Sequence, residues 1–119
     1  MPKECILIIG GKETRLIVGC CASDRGYRVV LAESYAEGIQ LVITDNPKLI
    51  IIDTDIPELD GLQICQELRK SAIAPIILLN SRSDEMDIVS GLGMGADYCL
   101  KKPLKTSELL AYMLSLIHI

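Results

Sequence analysis

The chain has 119 residues, 50% hydrophobic and 24% charged, with a formal net charge of -4. That is enough for one domain around one core. It offers no basic face for nucleic acid and no apolar run near the roughly 18 residues that a membrane-spanning helix needs, so a cytoplasmic, non-membrane protein is expected. Five cysteines, with no C-x-x-C pair and with Cys20 beside Cys21, do not form a disulfide or zinc framework. They read as small buried apolar residues in a reducing compartment.

Strands and helices alternate along the chain. Cys5 to Ile9 reads as the first strand, and Glu13 to about Asp24 as a helix closed by Gly26, a residue suited to a left-handed helix terminus. Tyr27 to Leu31 is the second strand. Ser34 and Glu37 have capping-box spacing and start a helix to about Asp45, with Ala36, Ile39, Leu41, Val42 and Ile43 as its apolar stripe. Leu49 to Asp53 is a short apolar run stopped by a carboxylate, the pattern of a strand buried on both faces. A third helix spans about Asp60 to Lys70, turning Leu62, Ile64, Cys65 and Leu68 inward. Ile76 to Asn80 is the fourth strand, Asp84 to about Met94 a helix closed by Gly95, and Tyr98 to Lys101 the fifth strand. Lys105 to about Leu116 is the last helix, with Leu109, Leu110, Met113, Leu114 and Ile117 facing the core. Such alternation implies right-handed crossovers and a parallel sheet covered on both sides.

Asp53 stands at a strand's carboxyl end, the edge where open α/β sheets bind ligands. Taken alone, it is as readily a turn-former or helix cap. Pro57 and Gly61 follow it, and the fifth strand runs into Lys102-Pro103. With these motifs and spacings, the chain resembles along essentially its whole length the receiver domain of bacterial two-component response regulators. The resemblance implies a flavodoxin-like, doubly wound sheet of order 2-1-3-4-5 with five helices, no effector domain within 1–119, and no enzyme beyond self-catalysed phosphoryl acceptance. Asp53 takes the position that accepts a phosphoryl group from a sensor histidine kinase. Lys102 takes that of the lysine that pairs with the phosphoryl oxygens, with a cis bond to Pro103. The chain then stands alone or is part of a longer regulator that reaches DNA only through an effector domain absent here.

The active-site positions depart from the family pattern. Receivers hold Mg²⁺ with an acidic pair after the first strand, whereas here Ile9 runs into Gly10-Gly11, and Glu13 is the nearest carboxylate on that side. A hard cation wants several oxygens, so no cofactor or at most weak Mg²⁺ on Asp53 and Asp55 is expected. Asp55 is either that partial ligand or a solvated loop carboxylate. Gly10-Gly11-Lys12 lacks the spacing of a phosphate-binding P-loop. Asn80 replaces the switch Thr or Ser, with Ser81 beside it as a substitute, and Cys99 replaces the switch aromatic, Tyr98 being one place off. Leu104 replaces the usual Phe after Lys-Pro.

Two functions follow. The domain is an atypical receiver, with impaired Mg²⁺-dependent phosphorylation, that serves a transcriptional regulator as an interaction module; or it is a working phosphoacceptor on Asp53. A flavin-binding reading fails for want of a hydroxyl-rich loop and a sandwiching aromatic. The Gly91-Leu92, Gly95-Ala-Asp97 and Glu108 to Ala111 elements are similar to those of OmpR/PhoB-type receivers, which dimerise through the fourth helix, fifth strand and fifth helix. Ile88, Asp97, Glu108 and Tyr112 are the interface candidates, Ile88 and Tyr112 replacing charged residues and favouring a homodimer.

Overall fold

In the computed structural model, residues 4–55, 61–81 and 96–117 are described, with 61–64 and 71 as backbone only. The elements are β1 (Cys5–Ile9), α1 (Lys12–Asp24), β2 (Arg28–Ala32), α2 (Tyr35–Asp45), β3 (Leu49–Asp53), α3 (Gly61–Ser71), β4 (Ile76–Asn80), β5 (Tyr98–Lys101) and α4 (Thr106–Ile117). The five strands are all parallel, in the order β2-β1-β3-β4-β5. The helix expected over 84–94, with Ile88 and the closing Gly95, lies outside the described residues, as does Pro57. Among the described residues there are therefore four helices.

Strand alternation sorts the apolar runs into two cores. Leu7, Ile9, Ile50, Ile52, Ile76 and Leu78 face α2 and α3 and meet Val42, Cys65 and Leu68. Ile6, Ile8, Leu49, Ile51, Ile77 and Leu79 face the other way, onto Val18 and Ala22 of α1 and Leu109 and Met113 of α4. Both faces being covered is why these strands carry unbroken Ile and Leu rather than an alternating pattern. Gly38 sets the closeness of α2 to the sheet, since a Cβ there would meet Ile9 Cδ1 at 2.5 Å.

Three helix ends follow local chemistry. Ser34 Oγ accepts from Glu37 N–H at 3.2 Å, the hydroxyl half of the capping box. Gly26, at φ +87°, turns the chain out of α1, and Asn46, at φ 46°, ends α2 in the left-handed region.

Several expectations need correcting. The second strand is Arg28–Ala32, one residue later than read from the sequence, because the parallel register with β1 pairs Cys5 with Arg28 and Ile9 with Ala32. In α2, Ala36 and Ile43 point outward, Ile43 being 66% exposed, and Gly38, Ile39, Leu41 and Val42 make the inner face. In α4, Leu114 is exposed, and Tyr112 and Leu116 pack inward instead. Apolar residues fall on outer faces in any protein, so helical spacing alone over-assigns the core. Cys5 and Cys65 are buried, but Cys20 is exposed on α1. Burial pushes the Cys65 and Cys99 thiols up, as expected of small residues inside a core.

Candidate functional site

The parallel sheet gathers the ends of β3, β4 and β5 at one edge. The register sets Asp53 beside Leu79 and Asn80 beside Lys101. Asp53, 4% exposed, is the only buried charged residue among those described. A carboxylate removed from water must be compensated by donors. It has three. Lys102 Nζ donates to Oδ2 at 2.7 Å, the Thr14 hydroxyl donates to the same oxygen at 2.5 Å, and Asp55 N–H donates to Oδ1 at 2.9 Å. The Asp53–Lys102 pair expected from the sequence is thus formed, and the Lys102-Pro103 bond is cis.

Lys102 is delivered by β5, whose alternation leaves Lys101 exposed. Its backbone N–H donates to the Asn80 carbonyl at 2.9 Å, which ties the end of β5 to the end of β4. Its ammonium also reaches Asp55 Oδ2 at 3.1 Å. Burial pulls this ammonium down, but the hydrogen bonds and charges of Asp53 and Asp55 more than reverse it, so its pKa lies above the ordinary lysine value.

Asp55 is exposed in the turn after β3, yet its carboxylate is bonded into the cluster. Besides Lys102, its carboxylate accepts Ser81 N–H at 3.0 Å and Ser81 Oγ–H at 3.0 Å. Burial pushes its carboxyl up, and the bonds from Lys102 and Ser81 overcome that, leaving the pKa below the ordinary value. Ser81 is therefore joined to the cluster through Asp55. Asn80 ends β4 half-buried, and Cys99 lies in β5 against the core shared with α2 and α3.

Thr14 escaped the reading of the sequence. It sits in the first turn of α1, 7% exposed, and its partner is 39 residues away. One signal was available: Thr14, Val18 and Ala22 recur at the helical spacing of four, and all three are buried. A hydroxyl on that stripe had to find a polar partner inside.

The residues around Asp53 offer a hard cation few carboxylates. Both oxygens of Asp53 and both of Asp55 already accept from chain donors. Across from Asp53 stands Gly10, where a Cβ would lie 3.0 Å from Asp53 Cβ and 3.2 Å from Thr14 Cγ2, so the wall carries no carboxylate and is packed shut. Glu13 is exposed on α1. Among the described residues, no group of three or more His, Cys, Asp or Glu could hold a metal ion. A hard cation wants several oxygen ligands, and the two carboxylates here already serve chain donors.

The interface candidates lie apart from this cluster. Asp97 precedes β5, and its carboxylate takes Arg69 at 2.8 Å and Ile76 N–H at 2.8 Å. Glu108 is exposed in the first turn of α4. Tyr112 stands half-buried with its ring 4.3 Å from that of Tyr98.

The family model for the response regulator receiver domain matches residues 11–114. A probable transcriptional regulator, ycf27, of Porphyridium aerugineum is 38% identical over 98% of this chain and 49% of its own length. The response regulator MprA of Mycolicibacterium vanbaalenii is 35% identical over 98% of this chain and 51% of its own. The chain thus spans about half the length of the curated relatives it matches. Among solved structures, the receiver domain of the TMAO respiratory system response regulator TorR superposes with TM-score 0.89 at 30% identity, covering 97% of each chain. A two-component response regulator from Clostridium difficile gives 0.91 at 24% identity over 98% of this chain and 97% of that one, a likeness of fold. Among the described residues, no helix is long and apolar enough to cross a membrane.

Proposed function

The chain belongs to the response regulator receiver family, and from that premise we propose that it is the cytoplasmic input domain of a two-component transcriptional regulator of OmpR/PhoB type, with Asp53 at the phosphoacceptor position and Mg²⁺-dependent phosphorylation impaired. The observation that carries this is the state of Asp53: buried, paired with Lys102 and capped by Thr14.

In phosphoryl acceptance, an Asp53 oxygen attacks the phosphorus of a phosphohistidine on a sensor kinase. The P–N bond breaks as the P–O bond forms, and the leaving imidazole nitrogen keeps the electron pair and takes a proton from solvent. Charge spreads over the phosphoryl oxygens in the transition state and must be met by positive groups. Lys102 is the one cation placed for this among the described residues, and its ammonium is already shared between Asp53 and Asp55. Thr14, donating to the same oxygen as Lys102, occupies a further lone pair of that carboxylate. These effects all slow acceptance, and signalling then rests on protein contacts. β5 and α4, with Tyr112, Glu108 and Asp97, carry the surface for a homodimer, to which the sequence adds Ile88, and DNA is reached through a segment outside this chain.

The working phosphoacceptor is the second reading, and the Lys102–Asp53 geometry favours it, since both groups stand where transfer needs them. Intact-mass detection of the domain treated with acetyl phosphate, with and without Mg²⁺ and with Asp53→Asn as blank, separates the two. Slow addition, indifferent to Mg²⁺, is expected; rapid, Mg²⁺-dependent addition at Asp53 would establish the second reading.

A further inference from the structure

Three donors converge beside Asp53 on the side of β4 and β5: the Ser81 backbone N–H, the Ser81 hydroxyl and the Lys102 ammonium. They come from the ends of two neighbouring strands and meet at one point. Donors of this kind, two neutral and one charged, make a seat for a compact oxyanion. The seat is filled by the chain itself. Asp55 Oδ2 accepts Ser81 N–H at 3.0 Å and Lys102 at 3.1 Å, and Oδ1 accepts Ser81 Oγ–H at 3.0 Å.

The backbone arranges this. Asp55 N–H bonds back to Asp53 Oδ1 at 2.9 Å, while the Thr54 N–H and hydroxyl both donate to the Leu79 carbonyl at 2.9 Å. The turn after β3 is thereby fixed against β4 at Thr54 and against β3 itself at Asp55, and the Asp55 side chain is left to reach Ser81 and Lys102. Its oxygens lie next to the carboxylate that would bear a phosphoryl group, against the donors that group's oxygens would need.

We propose that the Asp55 carboxylate is an internal oxyanion, seated where the oxygens of a phosphoryl group on Asp53 would bind, so that the end of β4 is held in its anion-bound arrangement without phosphorylation. This rests on the reading of Asp53 as the phosphoacceptor position and adds what regulates it. The site is occupied by default, and an incoming phosphoryl group must displace a carboxylate rather than water.

The test uses the whole chain, labelled with ¹⁵N, as wild type and as Asp55→Ala and Asp55→Asn. With no phosphoryl donor present, amide exchange at Ser81 should quicken on the order of tenfold in Asp55→Ala, as loss of a charge-assisted bond requires, and less in Asp55→Asn, which keeps one acceptor oxygen. Sodium formate, a free carboxylate, should restore the Ser81 signal of Asp55→Ala saturably, while sodium chloride at equal ionic strength does not and the wild type ignores both. Under acetyl phosphate, intact mass should show Asp55→Ala modified at Asp53 on the order of tenfold faster than wild type. A Ser81 amide indifferent to Asp55→Ala, or no rescue by formate, would overturn the proposal, as would slower phosphorylation of Asp55→Ala in Mg²⁺, the mark of a metal ligand. Formate rescue without phosphorylation of any variant would uphold the internal seat and bring down Asp53 as acceptor.

Discussion

Replacing Thr14 by Val removes one hydroxyl from the interior and keeps the side chain's shape. The bond lost is 2.5 Å long, between residues 7% and 4% exposed, and its acceptor is a carboxylate. Hydrogen bonds to charged groups are worth about 1.5–3 kcal/mol. Asp53 keeps Lys102 and the Asp55 N–H, which favours the middle of that range, and Thr and Val differ little in helix propensity, so no backbone effect offsets the loss. The expected cost is about 2 kcal/mol, or roughly 8 °C in Tm for a domain of this size. Urea unfolding should show a lower midpoint at unchanged slope. Thr14→Ser keeps the hydroxyl and gives up a methyl, and should cost about 1 kcal/mol. The decisive measurement is the double-mutant cycle with Asp53→Asn, in which Thr14→Val should lose at least half its effect because a neutral amide replaces the charged acceptor. Equal costs of Thr14→Val in both backgrounds would refute the claim that its hydroxyl serves Asp53.

Millimolar Mg²⁺ should produce no saturable NMR shift around Asp53; clear binding that disappears in Asp55→Ala would make Asp55 a metal ligand. The unphosphorylated domain should dimerise in sedimentation experiments, and Tyr112→Glu should weaken the dimer, whereas a monomer at all concentrations removes that surface from consideration. Because the Asp55 pKa is lowered in the fold, its contribution to stability is complete above the ordinary value of 3.8 and is lost as pH falls through the lower folded value. Comparing denaturation midpoints of wild type and Asp55→Asn from pH 7 downward should therefore show a gap that is constant above 3.8, narrows as pH falls from there and is closed once pH is below the folded value. For Lys102, whose pKa is raised, the stabilisation persists at and below the ordinary lysine value of 10.5 and fades as pH climbs through the higher folded one.

The buried strands were the most legible part of the chain. β1, β3 and β4 lie where their apolar runs begin and end, because a strand covered on both faces tolerates no polar interruption and each run is bounded by turn chemistry; the edge strand β5 was placed by the Lys-Pro motif that follows it. The edge strand β2 was displaced by one residue; its exposures mix along the strand and its register is set by β1 rather than by its own pattern. At the site, Asp53 and Lys102 were legible from position and motif. Thr14 was not, because what matters about it is a partner 39 residues distant, and sequence spacing shows which face a residue occupies without showing what lies opposite. For Asp55, strand alternation gave the correct side, while the choice between solvent and Ser81 depended on the fold of the turn after β3.

The bonds at the opposite edge of the sheet hold the strands that carry this cluster. Arg69, from the last turns of α3, donates to the Ala74 carbonyl at 2.5 Å and grips Asp97 at 2.8 Å, and Asp97 in turn takes Ile76 N–H, so the beginnings of β4 and β5 are pinned together and to α3. Their other ends are joined by the Lys102 N–H to Asn80 carbonyl bond and by the Asp55 carboxylate that Ser81 and Lys102 share. β4 and β5 are thus tied at both ends as well as along their ladder, so the donors at Ser81 and Lys102 are presented by strands whose spacing is set on the opposite side of the sheet.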